Sequence, residues 1–287
     1  MLDRRQFLGA AVAAAAGLGR GAPAGPAPKL AIGVTDWNLK LGANPEAVPL
    51  AARLGFEGVQ LSFGRKTPDG KLPVDNPETV ARYLQLAGEN RMRIDGTCVD
   101  KLHEDGLKSE PRAVNWVSDS IRLTAALRTR VLLLPFFGKW AIVNRDEGDR
   151  VGDALRELAP EAEKAGVILG IEDTISAEDN VRILDRARSK NVLVYYDVGN
   201  SALAGFDVVR EIRWLGGDRI CQFHLKDNPY YLGEGKMPFG DILQAIRDIG
   251  FSGDANLETD THAGSSVEAD MRRNLAYIRG MMEKRGG

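Results

Sequence analysis

The sequence predicts a single (β/α)8 barrel, and three observations predict it. Eight short apolar runs alternate strictly with eight segments of helical pattern along the 287-residue chain. Connections between them are short, as parallel strands joined by helical crossovers require. Residues 29–287 come close to the length typical of one closed barrel, about 250 residues. A doubly wound open sheet would be expected to carry a G-x-G-x-x-G turn after its first strand, and none is present.

Taken in order, Leu30–Trp37 is the first strand and 45–54 the first helix, ended by Gly55. Phe56–Phe63 is the second strand. A loop holding Pro68, Gly70 and Pro73 leads to a helix over 77–90. Strand three is Arg93–Val99, and Pro111 opens the next helix, to about residue 127, because its fixed φ suits a first helical turn. Val131–Phe137 is strand four, followed by a helix over 147–165 stopped by Gly166. Val167–Asp173 is strand five, with a helix over 177–189. Val192–Asp197 is strand six, with a helix over 206–214. Ile220–Leu225 is strand seven, with a helix over 239–249. Ala255–Thr259 is strand eight, and 267–284 is the last helix. These strands are apolar on both faces, as burial between a barrel interior and an outer ring of helices demands.

Composition narrows the function classes. Lys and Arg number 38 against 40 Asp and Glu, for a net charge of −2, so no basic surplus marks a nucleic-acid partner. Two cysteines, Cys98 and Cys221, cannot form a disulfide framework and are expected to be free thiols. Three histidines are present, so any metal site must rest on carboxylates.

Residues 1–28 are expected to be an address segment and linker, with the barrel occupying 29–287. Arg4 and Arg5 precede an apolar run over 10–18, and Ala22-Pro23-Ala24 follows as a cleavage candidate. This pattern resembles a twin-arginine export signal, and the apolar run is too short to span a bilayer. The resemblance implies a folded, cofactor-bearing protein exported to the periplasm or an equivalent compartment, with no stable membrane anchor after processing.

Barrel active sites lie at the C-terminal ends of the strands. There the sequence offers Glu172 on strand five, Asp197 on strand six, His224 on strand seven and Glu258 on strand eight. Three carboxylates and an imidazole form an oxygen-rich, mostly hard donor set. It suits one divalent ion, Mn²⁺ first, with Mg²⁺, Co²⁺ or Zn²⁺ as alternatives.

Ile171-Glu172-Asp173, Tyr196-Asp197-Val198-Gly199-Asn200, His224-Leu225-Lys226-Asp227 and Leu257-Glu258 resemble the xylose isomerase-like barrel family of sugar isomerases and epimerases. Gly55 to Val59 and Leu232 to Gly235 share that likeness. The resemblance implies a small carbohydrate substrate, metal ligation by Glu172, Asp197, His224 and Glu258, and proton transfer by the pair Glu172 and Glu258. The expected chemistry removes a proton beside a ketose carbonyl, passes through an enediolate, and returns a proton.

Lys226 and Gln222 alternate with His224 on one side of the strand and are candidate substrate contacts. For Lys226 a salt bridge to a neighbouring carboxylate is the competing role. Trp37 is a candidate stacking face for a sugar, and Asn200, a further candidate substrate contact, stands where many sugar epimerases carry a histidine. Gln60 stands where they often carry a glutamate. His103 and His262 fall in loops at the rim, where a surface position is the first reading for each and substrate contact the competing one. Three alternatives remain: a lyase acting on 3-keto-glycosides, a non-catalytic sugar-binding protein, and an abasic-site endonuclease, which the charge and the histidine count disfavour. Oligomeric state is open.

Overall fold

A computed structural model describes residues 29–67 and 69–284. The expectations for 1–28 lie outside the described residues. Eight parallel strands close in sequence order, with β8 pairing back onto β1. They are β1 Leu30–Thr35, β2 Gly58–Ser62, β3 Arg93–Cys98, β4 Val131–Pro135, β5 Ile168–Glu172, β6 Val192–Asp197, β7 Ile220–Leu225 and β8 Gly253–Leu257. The barrel predicted from the alternation is therefore the fold of the described residues.

The helices form the outer ring: α1 Ala47–Leu54, α2 Pro77–Asn90, α3 Arg112–Ala126, α4 Arg145–Ala165, α5 Ala177–Ala187, α6 Val198–Leu203, α7 Val208–Leu215, α8 Phe239–Asp248 and α9 Val267–Glu283. Their ends follow local chemistry. Asn144 accepts the Glu147 N–H to start α4, and Gly166, at φ 69°, closes it in the left-handed conformation. Nine helices appear among the described residues where the sequence pattern suggested eight. The addition is α6, which begins directly after β6 because Asp197 accepts the Asn200 N–H through Oδ1 at 2.8 Å. Strand eight also ends earlier than its pattern suggested, at Leu257. Glu258 is the next residue, and its N–H still reaches the Leu225 carbonyl.

Two kinds of packing hold the barrel. Outward-facing Val, Leu and Ile side chains, such as Val59, Leu132, Leu134 and Ile171, are buried against the helices. Each such burial contributes roughly 1.5–3 kcal/mol. Inside the barrel, Cys98, Val131, Leu133 and Tyr195 form a small apolar cluster. Below and beside it lies a polar floor of Gln60, Asp95, Gln222 and Asn256, all buried. Gly33 is a glycine for lack of space: a Cβ there would collide with Asn256 and Asp95. Cys98 and Cys221 are free thiols.

Candidate active site

Strand register brings the predicted residues together. Asp197 pairs directly with His224 across β6 and β7, and Leu225 pairs with Leu257, so Glu258, the next residue, comes beside Lys226 just above His224. Glu172 ends β5. Glu172, Asp197, His224 and Glu258 each present one donor atom, all within 4.8 Å of one another. His224 Nδ1 is the hub: it lies 3.0 Å from Glu172 Oε1 and 3.6 Å from both Asp197 Oδ2 and Glu258 Oε2. Its other nitrogen, Nε2, lies 2.8 Å from Gln60 Oε1.

The donor set fits a divalent cation. Its atoms are carboxylate oxygens and one imidazole nitrogen, three of the four residues are buried, and Asp197 Oδ2 is buried without a hydrogen bond. Lys226 Nζ stands 2.8 Å from that oxygen as an ion pair out of hydrogen-bond alignment, and donates to Glu258 Oε2 at 2.6 Å. Lys226 thus makes the salt bridges that the sequence offered as its competing role, with its ammonium on the site.

Electrostatics sort these groups. Burial pushes the Glu172 carboxyl up to about 7, with His224 opposing and the Glu258 and Asp197 charges adding to the rise. Burial acts the same way on Asp197, yet the Lys226 ammonium and His224 outweigh it and hold that carboxyl well below its ordinary range. Burial works against an imidazolium at His224, but Glu258, Glu172 and Asp197 overcome it and raise the group to about 10 in the metal-free protein. Three buried groups whose charges depend so strongly on their neighbours have the character of a functional site rather than of surface ion pairs.

Above the cluster opens a cavity of about 280 Å³. Trp37, Asn200, Lys226, Glu172 and Glu258 line it. Trp37 donates its indole N–H to Glu258 Oε1 at 3.0 Å, and Asn200 Nδ2 reaches Glu172 Oε1 at 3.4 Å. Gln222 is 1% exposed inside the barrel, two residues below His224, and does not line the cavity. The two rim histidines differ in their surroundings. His103 lines the cavity and stacks on Phe137, with centroids 6.1 Å apart, and burial, aided by Arg65, depresses it to about 4. His262 stacks on Tyr231 at 3.7 Å, away from the cavity.

Sequence reasoning missed Arg65 and Asp100, which line the same cavity with Arg65 Nε 3.7 Å from Asp100 Oδ2. Asp100 opens the short 3-10 turn Asp100–His103. A polar Asp-Lys-Leu-His run directly after a strand was the available signal.

A closed parallel barrel with three carboxylates and an imidazole converging at its C-terminal mouth defines a class: barrel proteins whose site can hold a divalent cation beneath a small polar cavity. Within that class the chain belongs to the xylose isomerase-like TIM barrel family, whose pattern matches residues 48–281. It is 29% identical over 226 residues to 2-epi-5-epi-valiolone 7-phosphate 2-epimerase of Actinoplanes sp., covering 75% of this chain and 82% of that protein. It is 25% identical over 191 residues to D-psicose 3-epimerase of Enterocloster bolteae, covering 61% of this chain and 63% of that one. Among solved structures, L-ribulose 3-epimerase shares the fold with a TM-score of 0.74 at 19% identity, over 89% of this chain and 95% of that chain.

Proposed function

We propose that this protein is a divalent-metal-dependent sugar epimerase or isomerase that moves a proton on the carbon beside a ketose carbonyl. The observation that carries this reading is the convergence of Glu172, Asp197, His224 and Glu258 at one point under a cavity sized for one small polar molecule. The named epimerases among its relatives support the substrate class. When bound, the cation supplies Lewis-acid polarisation of the substrate oxygens.

The chain's own groups do the rest. Glu172 and Glu258 rise from β5 and from the end of β8, on different sides of the mouth. One carboxylate removes the proton and the other delivers one to the opposite face, which inverts the carbon. Trp37 and Lys226 each hold one oxygen of Glu258, so its carboxylate is aimed before substrate arrives. Asn200 restrains Glu172. The Lys226 ammonium also places positive charge beside the developing negative oxygens. Manganese suits the donor set best, and the export-like segment at Arg4 and Arg5 favours an unphosphorylated sugar outside the cytoplasm.

A second reading keeps the same proton abstraction but eliminates a glycosidic substituent from a 3-keto-glycoside. One observation favours it. A second cavity of about 310 Å³ shares Lys226 with the first and is lined by Leu203, Tyr230 and Met237, giving room for an apolar aglycone. The two readings separate in one experiment. The Mn²⁺-loaded protein is incubated in D₂O with free ketoses and keto-glycosides, with and without chelator, and followed by NMR. Metal-dependent deuterium uptake with sugar epimer as product supports the epimerase. Released aglycone supports the lyase. A metal-loaded protein that exchanges no C–H bond in either set refutes both.

A further inference from the structure

We infer that Gln60 is a positioning residue that fixes the tautomer of the neutral His224 ring and so leaves the Nδ1 lone pair for the cation. The inference rests on the metal-centre reading above. Gln60 lies on β2 and His224 on β7, so their contact crosses the barrel interior, where both side chains are fully buried.

The orientation of the Gln60 amide is set by what surrounds it. Its Nε2 faces the Thr97 carbonyl at 3.5 Å, and a backbone carbonyl can only accept. Oε1 therefore faces the interior. There it receives the Tyr195 hydroxyl at 3.1 Å and Asn256 Nδ2 at 3.3 Å. Asn256 Nδ2 also reaches Asp95 Oδ1 at 3.2 Å, so this contact continues into the barrel floor. The nearest partner of Gln60 Oε1 is His224 Nε2 at 2.8 Å.

An amide oxygen can only accept, so Nε2 carries the hydrogen. In the neutral imidazole that a cation requires, Nδ1 then carries the lone pair, and it is Nδ1 that faces Glu172, Asp197 and Glu258. The other tautomer would set a lone pair against the Gln60 oxygen and turn an N–H toward the cation. Partners of this kind set ligand orientation and basicity in metal sites. A neutral amide at position 60 holds the imidazole without pulling its proton away, which leaves the ligand neutral and the cation a stronger Lewis acid than a carboxylate partner would.

The test loads the full protein with Zn²⁺, which is diamagnetic, and reads the His224 ring nitrogens by long-range ¹H–¹⁵N NMR. Calorimetry with Mn²⁺ measures affinity in the wild type, Gln60→Leu and Gln60→Glu. The expected wild-type signature is a protonated Nε2 with a metal-bound Nδ1. Gln60→Leu is expected to bind Mn²⁺ about 10- to 100-fold more weakly. Gln60→Glu keeps an acceptor at this point and is expected to restore affinity to within a few fold, with the same bound nitrogen. A wild-type signature with Nε2 on the metal overturns the inference, even should Gln60→Leu fail to fold. So does a folded Gln60→Leu with unchanged affinity and unchanged ring signature. Wild-type protein that binds neither ion overturns the metal-centre reading itself, a distinct result.

Discussion

Glu258 has both oxygens occupied by donors of different kinds, an indole N–H from Trp37 and the ammonium of Lys226. That pairing sets its direction and leads to two expectations. Glu258→Gln keeps the volume and one acceptor oxygen, so the protein should still bind Mn²⁺ while C–H exchange falls by at least about 100-fold. Exchange at the wild-type rate would remove Glu258 from the proton relay. Trp37→Phe removes one hydrogen bond to a charged group, which corresponds to a loss of about 10- to 100-fold in kcat if the bond matters in the transition state. Unchanged circular dichroism with lower kcat is the expected outcome. An unchanged kcat would make the indole a packing group only.

At the level of single elements, the strands and most helices were legible because period and punctuation agree. Val131–Pro135 is buried throughout, and Gly55 and Gly166 sit at positive φ where the helical patterns stop. The level of Glu172, Asp197 and His224 could be read as well, since strand ends align in a barrel. What escaped were features that depend on chain-distant neighbours. Helix α6 is too short to show a periodicity, and its Gly199-Asn200-Ser201 composition imitates a loop. Arg65 and His103 lie outside any periodic segment, and only barrel closure brings them to one cavity. The polar floor was equally hidden, because Asp95 and Asn256 are 161 residues apart and meet across the barrel interior. Gly33 reports on that floor. Gly33→Ala should cost about 1–3 kcal/mol through overpacking, seen as a lower urea midpoint with an unchanged slope. An unchanged midpoint would mean that the floor has slack the packing does not suggest.

For the molecule as a whole, the buried charges predict how stability depends on pH. Burial raises Glu172 and Asp173 to about 7, and the surrounding carboxylates raise His224 to about 10 against the opposing effect of burial. A group whose folded value is raised stabilises the fold below its unfolded value and loses that contribution as pH climbs through the folded one. The two carboxyls lose theirs between about pH 4 and 7, and His224 between about 6.5 and 10. Asp197 is shifted the other way, with a window below about pH 4, and His103, depressed to about 4, gains stability between about pH 4 and 6.5 but is one group against the two carboxyls. Chelator-treated protein should therefore show a Tm that falls steadily from pH 5 to 10. Mn²⁺ at a hundredfold excess over its Kd should restore about 2.7 kcal/mol at pH 8. A Tm that rises with pH, or one indifferent to Mn²⁺, would contradict this charge arrangement. Asp197 carries a different lesson for anyone wishing to move the site. One of its oxygens caps α6 and the other faces His224, while Asn200, on that same helical turn, holds Glu172. Grafting four side chains onto another barrel would leave that carboxylate free to swing. The smallest portable unit is the end of β6 together with the turn of helix that follows it.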